Sequence, residues 1–256
     1  MERKYVHFEK KHGVFNITHE RPPMNFLSIE SMKEFIEVIG EAESAPDIKV
    51  ITIRGGGEKY FSSGVDVGDH TPERGEEMMK TFYNLLNGVM YGSKPKIAVV
   101  KGYALGGGCE LIAFCDIVYA SDKAKFGQPE INVGVFPGPA ISLFPKLIGL
   151  KRTYELILTG DIISAAEAEK IGLINRVFPP EELDREVDKL TSNLSAKSSV
   201  VLQLTRKAIF RTKDMDLEKA MDWSGDIYKG ELMHTEDALH GIEAFQSQKK
   251  PNWKNR

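Results

Sequence analysis

The chain has 256 residues, of which 41% are hydrophobic, so it can bury a core of ordinary size and is predicted to form one domain with appended helices. Its formal net charge of −3 excludes a general attraction to nucleic acid or to an anionic membrane surface. The two cysteines, Cys109 and Cys115, have neither disulfide nor zinc spacing, and the six histidines form no metal-binding motif. From these spacings we expect reduced thiols and no metal site. No run reaches the roughly 18 apolar residues of a membrane-spanning helix, so we expect a cytoplasmic protein.

The N-terminal part of the chain alternates strand and helix patterns. Residues 5–8 and 14–18 alternate apolar and polar side chains on either side of a turn, which predicts a hairpin. Residues 29–42 carry apolar side chains at helical spacing, with Ser28 as the candidate N-cap, and a strand is predicted over 49–54. This rhythm of helix and strand is typical of a mostly parallel sheet.

A loop and a helix follow this strand. The loop, residues 60–67, combines an apolar anchor, a turn of small residues and an acidic side chain. Residues 76–92 carry apolar side chains on one side of a helical pattern, among them Met79 and Phe82. This pattern predicts a helix that turns those side chains toward the core.

The stretch 96–130 contains the first functional signal. Residues 97–100 form a β-branched apolar run typical of a buried strand, the glycines 106–108 make a turn, and an apolar segment that begins a helix follows at 109–115. The start of a helix leaves backbone N–H groups unpaired at the positive end of the helix dipole. Because glycines do not shield these groups, the stretch predicts an anion receptor made of backbone.

The residues after the glycines narrow the choice of anion. A phosphate-binding loop needs Lys-Ser or Lys-Thr at this point, but Cys109-Glu110 follows, and no G-x-G-x-x-G dinucleotide motif is present. An oxygen that becomes negative only during reaction, such as a thioester carbonyl turning into an enolate, suits the turn better. Glu110 and Glu130 then offer two carboxylates for proton transfer.

The remainder of the chain is mostly helical in pattern. A strand is predicted over 116–120 and another over 175–178. Ser164 is predicted to cap a helix that Gly172 ends. Further helical patterns cover 153–160, 181–196, 200–211 and 217–233.

Three separated blocks resemble the crotonase (enoyl-CoA hydratase/isomerase) superfamily. They are Gly102-Tyr103-Ala104-Leu105-Gly106-Gly107-Gly108-Cys109-Glu110-Leu111, then Cys115-Asp116, and then Phe126-Gly127-Gln128-Pro129-Glu130. The loop 60–67 resembles the superfamily's F-x-A-G-x-D segment, and 235–253 resembles its closing motif, so the resemblance runs nearly end to end.

This resemblance implies an α/β fold with a spiral core of repeated ββα units and a C-terminal helical region that packs subunits into trimers. The core is expected over residues 1–195 and the helical region over 196–256. The protein is then expected to form a homotrimer or a homohexamer, a dimer of trimers, without nucleic-acid or membrane partners.

The resemblance also assigns roles to individual residues. The backbone N–H groups of Gly107 and Val65 become the two donors of an oxyanion hole. Glu110 and Glu130 become the catalytic glutamates, with Glu130 transferring a proton to the α-carbon and Glu110 activating water. The implied activity is hydration of an enoyl-CoA thioester by a hydro-lyase.

The resemblance also places coenzyme A against the loop 60–67 and against the start of the helix that follows the glycine turn 106–108. Ser63, Val65, Asp66, Val67 and Gly107 are expected to contact it, as part of the acyl-CoA substrate and not as a separate cofactor. The Lys or Arg that often follows this aspartate in the superfamily is absent, because Gly68-Asp69-His70 stands there.

The chain departs from the superfamily's common form after Pro137, where Pro139-Ala140-Ile141-Ser142-Leu143-Phe144 replaces a glycine pair and a Thr-Gln-Arg-Leu motif. Together with Arg21-Pro22-Pro23-Met24-Asn25 and Val65-Asp66-Val67-Gly68-Asp69-His70-Thr71-Pro72-Glu73, this segment resembles the branch that hydrates cyclohexa-1,5-diene-1-carbonyl-CoA. Two alternatives stay open: a double-bond isomerase of the same fold, which needs one base and no water, and a non-catalytic protein that binds coenzyme A or RNA.

Overall fold

The computed structural model describes residues 3–256, in which short strands alternate with helices. The strands are β1 (Val6–Lys11), β2 (Val14–His19), β3 (Val50–Gly55), β4 (Tyr60–Ser62), β5 (Lys96–Val100), β6 (Tyr103–Leu105), β7 (Ile117–Ser121), β8 (Lys125–Gly127), β9 (Ile162–Ser164) and β10 (Arg176–Phe178). The α-helices are α1 (Ile29–Ser44), α2 (Gly75–Tyr91), α3 (Gly107–Ala113), α4 (Gly138–Leu147), α5 (Gly149–Thr159), α6 (Ala165–Lys170), α7 (Pro180–Ser195), α8 (Ser199–Thr212), α9 (Leu217–Gly230) and α10 (Glu236–Gln246).

The larger sheet has six strands in the order β1-β2-β3-β5-β7-β10. β1 and β2 form an antiparallel hairpin, and every later neighbour in this sheet is parallel. The predicted hairpin and the predicted parallel pairing of the strand at 49–54 are both confirmed. Parallel neighbours need a crossover between them, and the helices α1, α2 and α3 lie in those crossovers.

The smaller sheet has four strands in the order β4-β6-β8-β9. Each of β3, β5 and β7 in the large sheet is followed directly by a partner in the small sheet, namely β4, β6 and β8. A helix follows each such pair: α2, α3 and α4. The core therefore consists of three successive ββα units, which is the α/β architecture that the sequence predicts.

The central strands of the large sheet are buried on both faces, whereas the edge strand β1 is mostly exposed. In β5, Ala98 and Val100 belong to the main core, whereas Val99 packs with Leu183 and Val187 of α7 in a second cluster on the other face. Fully burying a leucine or valine side chain stabilises a protein by roughly 1.5–3 kcal/mol, so α7 contributes to the free energy of unfolding through this second cluster. The continuous apolar run of β5 follows from this double burial.

Two predicted helix caps are present as expected. The Ser28 side chain accepts a hydrogen bond from the Ser31 backbone at the start of α1, and the Ser164 side chain accepts one from Glu167 at the start of α6. Each satisfies one of the N–H groups that a helix start leaves unpaired, which stabilises the helix by about 1 kcal/mol.

The C-terminal helices follow the end of α7 at Ser195, where the sequence predicts that the helical region begins. Asp237 in α10 is fully buried and accepts hydrogen bonds from the backbone N–H groups of Lys254 and Asn255, at 2.6 and 2.8 Å. The final residues are thereby held against the helices. Within residues 3–256, no helix combines the length and the apolar character that crossing a bilayer requires.

Candidate active site

The turn between β6 and α3 needs glycine for steric reasons. Gly106 has a φ of 51°, in the left-handed region that other residues avoid. A Cβ atom at Gly106 would also lie 2.5 Å from Oε1 of Glu130, closer than any such contact allows. The glycines therefore let the start of α3 approach Glu130 directly.

The backbone N–H groups of Val65 and Gly107 lie next to each other. The backbone N–H of Leu27 donates to the Gly64 oxygen at 2.9 Å, and the N–H of Asp66 donates to the Leu27 oxygen at 3.0 Å. This pairing leaves the Val65 N–H on the opposite side of the backbone. Gly107 is the first residue of α3, so its N–H has no acceptor within the helix. A Cβ atom at Gly107 would lie 3.2 Å from the Val65 nitrogen, so the two donors can converge on one oxygen.

Glu110 lies on the first turn of α3 and is only 3% exposed. Burial raises the pKa of its carboxyl group to about 8, and the negative charge of Glu130 adds to this rise. The backbone N–H of Ala140, in the first turn of α4, donates a hydrogen bond of 2.8 Å to Oε1 of Glu110. This hydrogen bond favours the ionised carboxylate and so opposes the rise in pKa. The geometry thus keeps a proton on Glu110 near neutral pH.

Glu130 lies in the short 3₁₀ helix Pro129–Val133 that follows β8. Burial raises the pKa of its carboxyl group to about 7. Gln128 is fully buried beside it, and the amide orientation that satisfies both groups places the Gln128 nitrogen 3.2 and 3.1 Å from the two Glu130 oxygens. Two carboxyl groups with raised pKa values in one site are typical of acid–base catalysis.

A cavity of about 730 Å³ joins these groups. Both glutamates and both backbone donors line it, together with Ser63 and Val67. Its apolar wall is formed by side chains from the loop before α1, from α2, from the segment before α4 and from the first turn of α4: Phe26, Met78, Met79, Phe82, Val135, Phe136 and Pro139. The structure therefore brings six of the seven predicted site residues to one cavity.

Asp66 is the predicted site residue that does not line the cavity. Its carboxylate forms an ion pair of 2.7 Å with Arg21 and accepts a hydrogen bond from the Gly68 backbone. Ser63 differs, because its hydroxyl group is inaccessible to solvent and has no hydrogen-bond partner among residues 3–256. Ser63 thus lines the cavity with its hydroxyl group buried, whereas Asp66 stabilises the loop that carries Val65.

Some residues of the site were not predicted from the sequence. Gln128 and Ala140 contact the glutamates, and His70 lines the cavity. Of these, only the contact of Gln128 could have been predicted from the sequence, because Gln128 lies two residues before Glu130. The expectation that Met79 faces the core was wrong: it is 40% exposed and lines the cavity.

Cys109 lies beside Glu110 and takes no part in this arrangement. It is fully buried, and burial raises the pKa of its thiol far above the ordinary range. Thiols in such surroundings are unreactive. Cys115 is likewise a free thiol, so the chain has two reduced cysteines, as expected.

A model of the enoyl-CoA hydratase/isomerase family matches residues 9–256. The chain belongs to this family. The match covers the loop 60–67, α3 and the C-terminal helices alike, so the resemblance seen in three sequence blocks is confirmed.

Relatives and solved structures agree over nearly the full length. The short-chain-enoyl-CoA hydratase of Clostridium acetobutylicum is 34% identical over 264 residues, which covers 100% of both chains. The crotonyl-CoA hydratase of Syntrophomonas wolfei is 32% identical over 249 residues, covering 96% of this chain and 95% of that protein. An enoyl-CoA hydratase structure from Geobacillus kaustophilus matches with a TM-score of 0.94 at 29% identity, covering 100% of this chain and 98% of that one.

Proposed function

We propose that this protein is a hydro-lyase that adds water across the conjugated C=C bond of an enoyl-CoA thioester. The observation that carries this proposal is the meeting of Glu110, Glu130 and two unpaired backbone donors in one cavity. Isomerisation needs a single base, and a binding protein needs neither glutamate. The presence of both carboxyl groups at the cavity therefore favours hydration over these alternatives.

The proposed mechanism assigns one task to each group. The N–H groups of Val65 and Gly107 hold the thioester oxygen as it gains negative charge, and each such donor contributes about 10²–10³-fold to the rate. Glu110 takes a proton from water, and Glu130 delivers one to the α-carbon, a contribution of about 10²–10⁴-fold. Water is thus activated while the enolate is stabilised.

The pKa values of the pair place the proton mainly on Glu110, whereas the assigned roles need it on Glu130. At pH 7, a pKa of about 8 keeps Glu110 mostly protonated, and a pKa of about 7 leaves Glu130 half ionised. On average the two carboxyl groups therefore hold more than one proton at pH 7. The proposed hydration starts from the state in which the pair holds one proton. Such coupled carboxyl groups titrate as a pair, so the proton is shared rather than fixed on one residue.

We propose a short or flat acyl group as the substrate, with cyclohexa-1,5-diene-1-carbonyl-CoA as the specific candidate. Phe82 lies against the oxyanion donors, since its Cζ would be 3.2 Å from a Cβ atom at Gly107. Pro139, which is buried, stiffens the wall beside Glu110. The names of the short-chain-enoyl-CoA and crotonyl-CoA hydratases that resemble this chain support a small acyl group.

Coenzyme A is proposed to bind at the mouth of the cavity, against Ser63, Val65, Asp66, Val67 and Gly107, as part of the substrate. We also propose a cytoplasmic homotrimer or homohexamer assembled through the C-terminal helices. The apolar side chains that those helices expose support this assembly.

The test of the proposed function follows the absorbance of the conjugated thioester. Purified protein is mixed with crotonyl-CoA and, separately, with cyclohexa-1,5-diene-1-carbonyl-CoA, and the rate of absorbance loss is measured. We expect turnover of the cyclic diene with little turnover of crotonyl-CoA. Glu130→Gln should lower the rate by about 10²–10⁴-fold, because it removes the acid.

The matched control is Glu37→Gln, which changes an exposed carboxylate on α1 and should leave the rate unchanged. Preference for crotonyl-CoA would overturn the alicyclic assignment and retain a short-chain hydratase. Binding of both thioesters without hydration of either would overturn the hydratase proposal in favour of isomerisation.

A further inference from the structure

The cavity that holds the two glutamates has an unusual distribution of charge. None of its lining residues within 3–256 is a lysine or an arginine, and His70 is the only one that can become cationic. The other titratable groups that line it are Glu110 and Glu130, whose pKa values burial raises to about 8 and about 7, so that near pH 7 Glu110 is mostly protonated and Glu130 half ionised. A second anionic group of the ligand that lies inside this cavity therefore has one cationic side chain among the lining residues, that of His70.

The hydrogen bonding of His70 fixes how its ring is used. Nδ1 lies 3.0 Å from the backbone oxygen of Asp66. A carbonyl oxygen only accepts hydrogen bonds, so Nδ1 must carry the proton and donate it. Nε2 is then the atom left for a ligand: it accepts when the ring is neutral and donates a charge-assisted hydrogen bond when the ring is protonated.

The acidic side chains nearest in sequence do not cancel this charge. Asp66 pairs with Arg21 at 2.7 Å, and Asp69 pairs with Arg74 at 3.0 Å. Asp69 also accepts a hydrogen bond from the Ile29 backbone and is only 5% exposed. Each aspartate is thus neutralised within the loop.

Charged groups on the neighbouring elements are likewise engaged or point to water. On α1, Glu30 pairs with Arg74, and on α2, Glu77 pairs with Lys33. Glu73, before α2, is fully exposed. None of these carboxylates lines the cavity, so Glu110 and Glu130 are the acidic side chains that an anion meets inside it in the described chain.

We propose that His70, through Nε2, binds a second anionic group of the thioester ligand, one that lies outside the reacting acyl carbonyl. This inference rests on the proposed function. The anionic group is either a phosphate of the coenzyme A nucleotide or a carboxylate on the acyl chain. Both would accept the same charge-assisted hydrogen bond, and both would bind more weakly once the ring loses its proton.

The test measures binding by calorimetry with saturated thioesters, which cannot be hydrated. Butyryl-CoA carries the phosphates, glutaryl-pantetheine carries an acyl carboxylate and no phosphate, and butyryl-pantetheine carries neither. Dissociation constants are measured at about pH 6 and about pH 8, on either side of the range in which histidine side chains commonly titrate. The neutral ligand reports the effect of Glu110 and Glu130, which titrate in the same interval.

In wild-type protein, the dissociation constant of at least one anionic ligand should rise from the lower to the higher pH. This rise should be about 3- to 5-fold larger than that of butyryl-pantetheine, the size expected for a charge pair open to water. His70→Gln should remove this difference, and His7→Gln, an exposed histidine on β1, should retain it. The ligand that shows the effect identifies whether a phosphate or a carboxylate is bound.

Equal pH dependence for all three ligands, or an unchanged difference in His70→Gln, would overturn the inference while leaving the proposed function intact. Failure of all three thioesters to bind would overturn both together.

Discussion

Glu110 shows at the scale of one residue how catalysis and stability oppose each other. In the folded protein, burial raises the pKa of Glu110 from an ordinary 4.5 to about 8. The folded state therefore binds this proton more tightly than the unfolded chain does. The associated stability is complete below pH 4.5 and is lost as the pH rises through 8, because the unfolded chain releases its proton first.

Glu110→Gln should consequently separate the two properties. The amide cannot ionise, so the variant should be more stable than wild type at about pH 9, by up to a few kcal/mol at about 1.4 kcal/mol per pKa unit. Its hydration rate should fall by about 10²–10⁴-fold. Thermal unfolding at about pH 6 and 9, alongside initial rates, measures both, and Glu37→Gln is the control. Equal loss of stability in wild type and Glu110→Gln on raising the pH would contradict the burial argument.

The site was predictable from sequence to the extent that it depends on local chemistry. The glycine turn before Glu110 indicated unpaired backbone donors from the residues alone, and Glu130 entered as a second carboxylate. The role of Val65 needed the family resemblance, because a backbone donor leaves no signature in its side chain. Ala140 contacts Glu110 from the first turn of α4, and His70 lines the cavity from the segment before α2. Sequence spacing does not reveal that convergence.

At the scale of elements, the start of α3 depends on close contact with the loop before it. A Cβ atom at Gly107 would lie 2.9 Å from Cγ2 of Val65 and 3.2 Å from its nitrogen. The two proposed oxyanion donors can therefore converge only while position 107 has no side chain. The helix itself does not require glycine there, because alanine is the better helix former.

Gly107→Ala should accordingly lower the hydration rate while the protein stays folded. Displacing one donor costs about 10²–10³-fold in kcat. The control is Gly40→Ala in α1, where a Cβ atom would meet nothing within 4 Å, and this variant should gain about 0.5–1 kcal/mol of stability with no change in rate. A folded Gly107→Ala protein with wild-type kcat would exclude Gly107 as an oxyanion donor.

Helices and strands were predicted correctly where the segment was long enough to show the regular spacing of its apolar residues. The helices α1, α2 and α7 and the strands of the large sheet were found close to their observed bounds. The small sheet was not predicted, because its strands have three residues each and cannot display alternation. The helix α4 was missed because Pro139 and Pro145 break the usual pattern, although the first lies in its first turn, where proline is tolerated.

At the scale of the whole molecule, the C-terminal helices leave apolar surface uncovered. No residue of α9 is buried in the described chain. Leu217 and Met221, one turn apart on α9, are 77% and 65% exposed, and Phe245 on α10 is 86% exposed. Side chains four residues apart on a helix share a face, so Leu217 and Met221 form one apolar surface on α9. Contiguous apolar surface on a protein typically marks an interaction site.

The proposed homotrimer or homohexamer accounts for this surface, and light scattering after size exclusion tests it. Wild-type protein should have a mass of three or six copies of the 28.6 kDa chain. The double variant Leu217→Lys, Met221→Lys should dissociate, because burying two lysines in an apolar interface is costly. Asp222→Lys alters the same helix on another face and should leave the mass unchanged. A wild-type mass of one chain would rule out the assembly, and an intact double variant would show that subunits contact one another elsewhere than α9.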